Sequence, residues 1–274
     1  MFNISLNYPI SISPLNSSYT SNETKFNEWL AGFIDGDGHF RIDNNKPKLI
    51  IELDSQDHSL LLYIQSKIGG NINPTHGNKN AYRYTLFKRP LIIDLVNRVN
   101  GNIRNGIRTP QFINICNFLD IPYKSPIPLT RDSGWFTGFF DADGCISCSL
   151  SNNRGTIIIQ VSNKYESDVQ HYAKFFNGKV INAYTVSPSV KWQINKRSDI
   201  LNMLEYFREC PPLSHKVSRV RLIEEFYTLR DIKAYRVDSP SYPDWLLLVD
   251  NWSYKNYIDL YSHCVYLPPY STSV

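Results

Sequence analysis

Leu30 to Gly38 reads LAGFIDGDG, and Phe136 to Gly144 reads FTGFFDADG. Each phrase carries small and apolar residues at helical spacing, then two aspartates flanking one small residue, then glycine. The final acids, Asp37 and Asp143, lie 106 positions apart (143 − 37). A second anchor lies well outside the phrase. Tyr84-Thr85-Leu86-Phe87-Lys88-Arg89 aligns with Trp192-Gln193-Ile194-Asn195-Lys196-Arg197 at a shift of 108 (196 − 88). Two anchors separated by a small indel mark an internal duplication, with halves of roughly 100 residues each.

The same order of elements is expected in both halves. Residues 1–23 are a polar, Ser/Asn/Pro-rich lead-in expected to be flexible, and residues 24–119 form the first repeat. That repeat begins with a helix over 26–34, which Asn22 or Thr24 can cap. Gly38 is expected to end this helix by permitting a tight turn. Strands follow at 39–43 and 48–54, then a helix at 59–68, strands at 71–75 and 82–87, and helices at 90–99 and 111–118. Residues 120–132, with Pro122, Pro126 and Pro128, read as an extended linker. The second repeat, 133–235, runs in the same order from a helix at 134–140 to one at 217–229. Residues 236–274 form a C-terminal extension, helix-like over 244–261, with no counterpart in the first half. The expected fold class is α+β, with two pseudo-symmetric αββαββα halves.

Bulk composition narrows the function classes. Hydrophobic residues make up 42% of 274 and aromatics 14%, enough for a core and too many for a disordered chain. The net charge of +4, with 25 acids present, permits a nucleic-acid partner but requires its basic surface to be local. Cys145 and Cys148 have CxxC spacing without a second pair or a histidine motif, so reduced thiols are expected rather than zinc. No stretch approaches the roughly 20 apolar residues of a membrane span. The N-terminal segment reads as neither a secretory signal nor an arginine-rich presequence.

The doubled phrase carries the chemistry. Ala31, Gly32 and Gly36 are small enough to let two helices touch at backbone distance, the expected partners being Thr137, Gly138 and Ala142. Asp35, Asp37, Asp141 and Asp143 would then sit at adjoining helix C-termini, where a carboxylate opposes the helix dipole unless a cation compensates. Hard oxygen ligands completed by water suit magnesium. A metal between attacking water and leaving oxygen is a common solution for phosphodiester cleavage. Turn formation alone accounts for one copy of the phrase, but poorly for two in register.

Both phrases resemble the signature of the LAGLIDADG homing endonucleases in their single-chain, two-repeat form. The resemblance spans Phe26 to Tyr235 and includes the run SHKVSRVRLIEEFYTLRDIKAY from Ser214. It implies that Asp37 and Asp143 hold divalent metals, with Gly36 and Ala142 adding carbonyl ligands and Asp35 and Asp141 supporting the helix ends. The implied metal is magnesium, with manganese able to substitute and calcium able to bind without supporting cleavage. A basic residue near the scissile phosphates is implied at Lys216 and, 108 positions earlier, at Arg108, where arginine departs from the family's lysine. A polar side chain ordering water is implied at Asn163 and Ser55.

Alternation along the strands assigns an outward face for reading base edges. In the first half it carries His39, Arg41, Asp43, Lys48, Glu52, Arg83 and Thr85. In the second it carries Cys145, Ser147, Ser149, Ser151, Thr156, Gln160, Lys191 and Gln193. Lys46, Lys88, Arg89, Arg104, Lys164, Lys196 and Arg197 are assigned to phosphates. The sheets would form a DNA-binding saddle. The implied activity is a staggered double-strand break in a long DNA target, made by a monomer encoded in an organellar, by expectation mitochondrial, intron. The alternatives are an RNA maturase acting on intron RNA and a catalytically silent DNA-binding protein.

Overall fold

The computed structural model describes residues 17–75, 77, 80–149, 155–183 and 189–252. Within them the first half runs α1 (Ser17–Asp37), β1 (Gly38–Asp43), β2 (Lys46–Asp54), α2 (His58–Ile68), β3 (Asn71–Pro74), β4 (Ala81–Leu86), α3 (Arg89–Val99) and α4 (Arg108–Leu119). The second runs α5 (Trp135–Asp143), β5 (Gly144–Ser149), β6 (Thr156–Asn163), α6 (Glu166–Phe176), β7 (Lys179–Ala183), β8 (Ser189–Ile194), α7 (Arg197–Glu209) and α8 (Val217–Asp231). A last helix, α9 (Tyr242–Trp252), has no counterpart in the first half. Each half holds one antiparallel four-stranded sheet, ordered β1-β2-β4-β3 and β5-β6-β8-β7. The duplication read from two short phrases is therefore a duplication of topology.

α1 begins at Ser17, well ahead of Asn22 and Thr24, so neither residue is its cap. α1 and α5 pack along each other at backbone distance. A Cβ on Gly32 would lie 2.2 Å from the Trp135 carbonyl oxygen, and one on Gly138 would lie 1.9 Å from that of Trp29. Only glycine admits that approach. Ala31 is fully buried as well. Thr137, expected at this seam, instead serves its own half: Oγ1 donates to the Cys210 carbonyl at 2.7 Å, and its amide donates to Tyr206 Oη at 3.1 Å. Gly38 and Gly144 follow the two helices for a reason other than the expected one. Neither has positive φ, but a Cβ on either would strike the last helical turn, 2.7 Å from the Ile34 oxygen and 2.4 Å from the Phe140 oxygen.

Strand alternation sets the layers. Phe40, Leu49, Ile51, Tyr84 and Leu86 are buried under the first sheet, and Ile146, Ile159, Val161, Trp192 and Ile194 under the second. β1 is an edge strand, and the backbone N–H of its Phe40 is satisfied by Gln111 Oε1 of α4 at 3.1 Å. The linker is pinned to the first half, with the Ile127 N–H donating to the Gly101 carbonyl at 2.8 Å and Lys124 N–H to Asn100 Oδ1 at 2.8 Å.

Candidate active site and nucleic-acid interface

Asp37 and Asp143 end α1 and α5 and come together because the glycine seam brings the helix ends together. A Cβ on Gly36 would lie 2.3 Å from Ala142 Cβ and 3.2 Å from Asp143 Oδ2, so the second half's acid lies against the backbone that precedes Asp37. Both carboxyls are half-buried. Asp37 is pushed up to about 7, first by burial and then by the charge of Asp143, while Lys216 and Arg108 pull it back. Asp143 is raised by burial, against the opposing pull of a hydrogen bond from Asn163 and the charges of Lys216 and Arg108. Two desolvated carboxylates side by side, one of them raised further by the other's charge, are a site short of positive charge.

The two basic residues reach the helix ends by different geometry. The Lys216 ammonium donates to the carbonyls of Phe140, Asp141 and Ala142 at 3.1, 2.6 and 2.9 Å, closing the last turn of α5. Arg108 donates through Nε to Ile34 at 3.2 Å and through Nη2 to Gly36 at 2.9 Å, closing α1. Cations at helix C-termini oppose the destabilising acids there. The carbonyls of Gly36 and Ala142, expected as ligands, thus each already accept one cationic donor. Asn163 Nδ2 donates to Asp143 Oδ2 at 2.7 Å.

Ser55 is not part of this group. It is exposed in the 3-10 turn Ser55–Asp57, and its hydroxyl lies 3.3 Å from Asp54 Oδ1, because Asp54 caps that turn. Arg104, expected at a phosphate, does not face outward either. Its guanidinium turns inward, 5.1 Å from the Trp135 ring centroid, and donates to the Asn102 and Ile127 carbonyls at 3.3 and 3.2 Å, so it is not free for phosphate. Arg197 is exposed but held in a two-pronged pair with Asp231 at the end of α8, at 2.7 and 2.8 Å.

The inner acids of the phrases are structural. Asp35 Oδ2 accepts from Trp135 Nε1 at 2.8 Å and from Arg104 N–H at 3.0 Å. Asp141 accepts from Trp29 Nε1 at 2.8 Å and from the amides of Leu213 and Ser214 at 2.8 and 3.1 Å. Each acid therefore takes the indole of the opposite half, and burial pushes Asp35 up to about 7. Sequence reading passed over both tryptophans, although a signal existed: Trp29 and Trp135 are 106 apart (135 − 29), the same shift as the acids.

The outward sheet faces carry the expected residues in cross-strand rows. In the first sheet Arg41 faces Lys48, Glu52 faces Arg83, and Thr85 neighbours Ile50 beside His39. In the second, Cys145, Gln160 and Gln193 form one row, Ser149 faces Thr156, Ser147 faces Ile158, and Ser162 faces Lys191. Several charges pair along the surface: Asp43 accepts from Arg41 and from Lys48, the latter at 3.2 Å, and Glu52 accepts from Arg83 at 2.7 Å. His39 is held below its ordinary value by desolvation and by the charges of Arg108 and Arg41. Lys46, Lys88, Lys164 and Lys196 are exposed, and Arg89 is exposed with its guanidinium 5.8 Å from the Phe118 ring. Ser151 lies outside the described residues. Cys145 and Cys148 are free thiols, three apart on one strand and so directed to opposite faces. Among the described residues no three His, Cys, Asp or Glu side chains gather as a metal cluster, and no helix is long and apolar enough to cross a membrane.

Comparison with known proteins gives the same division into two halves. The sequence profile described as "LAGLIDADG endonuclease" covers residues 30–118 and 136–227, one match per half. The intron-encoded RNA maturase bI4 of Saccharomyces cerevisiae is 40% identical over 243 residues, 86% of this chain and 38% of that protein. A probable intron-encoded endonuclease aI2 of Debaryomyces hansenii is 31% identical over 260 residues, 88% of this chain and 39% of that protein. The chain thus spans about two fifths of the length of these two relatives. The crystal structure of the LAGLIDADG meganuclease I-AabMI bound to uncleaved DNA superposes with a TM-score of 0.62 at 16% identity, over 83% of this chain and 99% of that one, a likeness of fold.

Proposed function

This chain belongs to the LAGLIDADG endonuclease family, and from that premise we propose that it is a site-specific endonuclease making a staggered double-strand break in a long DNA target. The observation that carries the reading is the meeting of Asp37 and Asp143, one from each half, at adjoining helix ends. The donor set fits a divalent cation: hard oxygens, no sulfur or imidazole, and two acids each destabilised by burial. Asp37 and Asp143 would hold the metal, magnesium by expectation, with manganese as substitute and calcium as a non-productive occupant. The carbonyls of Gly36 and Ala142, each with a second lone pair, complete the expected set. A bound metal would supply positive charge at the phosphoryl oxygens and acidify a water.

The chain's own residues do the rest. Lys216 and Arg108 carry fixed positive charge at the helix ends, against the charge that develops on a scissile phosphate. Asn163 orients the Asp143 carboxylate. The outward sheet faces read base edges, while Lys46, Lys88, Arg89, Lys164 and Lys196 are left for phosphates. Both acids come from one chain, which supports a monomer. Relatives named as intron-encoded support an organellar setting, mitochondrial by expectation. Incubating the chain with a randomised DNA library in magnesium, then in chelator, tests the reading. Recovery of one cut sequence in magnesium only is expected, and no cut sequence would refute it.

A second reading has its own support, since the relative that is 40% identical is named an RNA maturase. On that reading the chain speeds the splicing of its own intron RNA, in addition to or in place of cutting. Splicing of that RNA with and without the chain separates the two.

A further inference from the structure

Two further buried carboxylates, besides the acids of the two phrases, sit behind the site's basic residues. Asp57 closes the 3-10 turn before α2, in the first half, but its partners lie in the second. Asp57 Oδ1 accepts from the His215 N–H at 2.7 Å, and Oδ2 lies 2.7 Å from His215 Nδ1. His215 is the residue before Lys216. Asp168 lies in the first turn of α6, in the second half, and two of its partners lie in the first. Oδ1 accepts from the Gly106 N–H at 3.1 Å, and Oδ2 from Asn105 Nδ2 at 3.1 Å. Asn105 Oδ1 then accepts the amides of Ile107 and Arg108 at 2.9 and 3.2 Å, fixing the start of α4 and with it Arg108. Asn105 Nδ2 also lies 3.4 Å from Asn163 Oδ1, which ties the same knot to the Asp143 partner.

Asp57 is only 8% exposed and Asp168 3%. A carboxylate at such depth persists where donors meet it, and in both cases donors from the opposite half do so, with Ser167 of its own half also bonding Asp168. The two acids are 111 apart (168 − 57), whereas the helices they begin are 108 apart (166 − 58). They are thus not copies of one position but two solutions to one task.

We propose that Asp57 and Asp168 are positioning residues for the cleavage reaction, each bracing from its own half the loop that carries the other half's basic residue. The proposal rests on the endonuclease reading above. Asp57 acts through His215 on Lys216, and Asp168 acts through Asn105 on Arg108. Each basic residue is therefore aimed only when the halves are docked, which couples the two strand cuts.

Strand-resolved cleavage of an end-labelled target, together with amide hydrogen exchange, tests it on wild type, Asp57→Ala and Asp168→Ala. Asp57→Ala is expected to slow one strand on the order of tenfold more than the other, as loss of a charge-assisted hydrogen bond at one base would. Asp168→Ala is expected to reverse the preference. Exchange should quicken over 214–218 in the first variant and over 105–109 in the second, each leaving the other loop as in wild type. Equal slowing of both strands, or exchange quickened alike in both loops, overturns the proposal. Should an alanine variant fail to fold, Asp→Asn keeps one acceptor oxygen and must show the same opposed strand preferences. A wild type that cuts no DNA refutes the endonuclease reading, while the exchange pattern still decides whether the braces exist.

Discussion

Lys216 holds three carbonyls of α5 with one ammonium, so it has a structural role before any substrate arrives. Lys216→Met should therefore lower the unfolding free energy of the metal-free chain by about 1–2 kcal/mol, read by denaturant titration, as well as slowing cleavage. Asp37 works in the opposite direction. Its carboxyl is pushed up to about 7 from an ordinary 3.8. Between those values the folded chain keeps a proton that the unfolded chain has released, so stability falls as pH rises from about 4 to about 7. Asp37→Asn removes that penalty. At pH 8 without metal it should be more stable than wild type, by on the order of 1 kcal/mol for a half-buried group that water still reaches, and near pH 4 the two should coincide. A variant that melts lower than wild type at pH 8 would contradict this. That Asp37, Asp143, Lys216 and Arg108 meet at the helix ends is legible in the sequence because each sits at a matched position in a duplicated phrase or run. Ser55, implied by the resemblance alone, lies apart because Asp54 caps the next turn and draws the serine hydroxyl toward itself, which a family pattern does not reveal.

The α1–α5 pair is the element on which the rest depends. Its seam was readable from Gly32 and Gly138, since glycine at helical spacing leaves room for backbone contact. Which other small residues shared it was not readable: Thr137 is small enough, but its hydroxyl has the Cys210 carbonyl to serve. A methyl group on Gly138 meets the Trp29 oxygen at 1.9 Å, and backbone cannot yield as a side chain can. Gly138→Ala should cost about 3 kcal/mol or more, the upper range for overpacking, and should abolish cleavage with the acids intact. Wild-type thermal stability in that variant would contradict the packing account. At the other end of α1 the boundary escaped the sequence, because Asn22 and Thr24 look like caps but lie inside a helix that starts at Ser17.

At the scale of the molecule, each half's sheet presents a row of charged and polar residues, and on the endonuclease reading DNA affinity should depend on salt. Lys88→Ala should weaken binding uniformly across sequences and reduce the slope of log affinity against log salt by roughly 0.9, the loss of one phosphate contact. Arg104→Ala should leave that slope unchanged and lower stability instead, because its guanidinium lies against Trp135. The strand layout and its outward rows were legible, since alternation is local. The contacts that lock the halves, Trp29 to Asp141, Trp135 to Asp35, Asp57 to His215 and Asp168 to Asn105, join residues that only the folded chain brings together. On the endonuclease reading, the two halves' acids make one metal-dependent centre for cutting both strands. Cleavage of the selected target by wild type, Asp37→Asn and Asp143→Asn in magnesium tests it directly. Wild type should cut both strands, and either variant should lose both cuts by about a thousandfold or more, the scale of a lost metal-assisted step. A variant that cuts both strands at the wild-type rate would contradict the account.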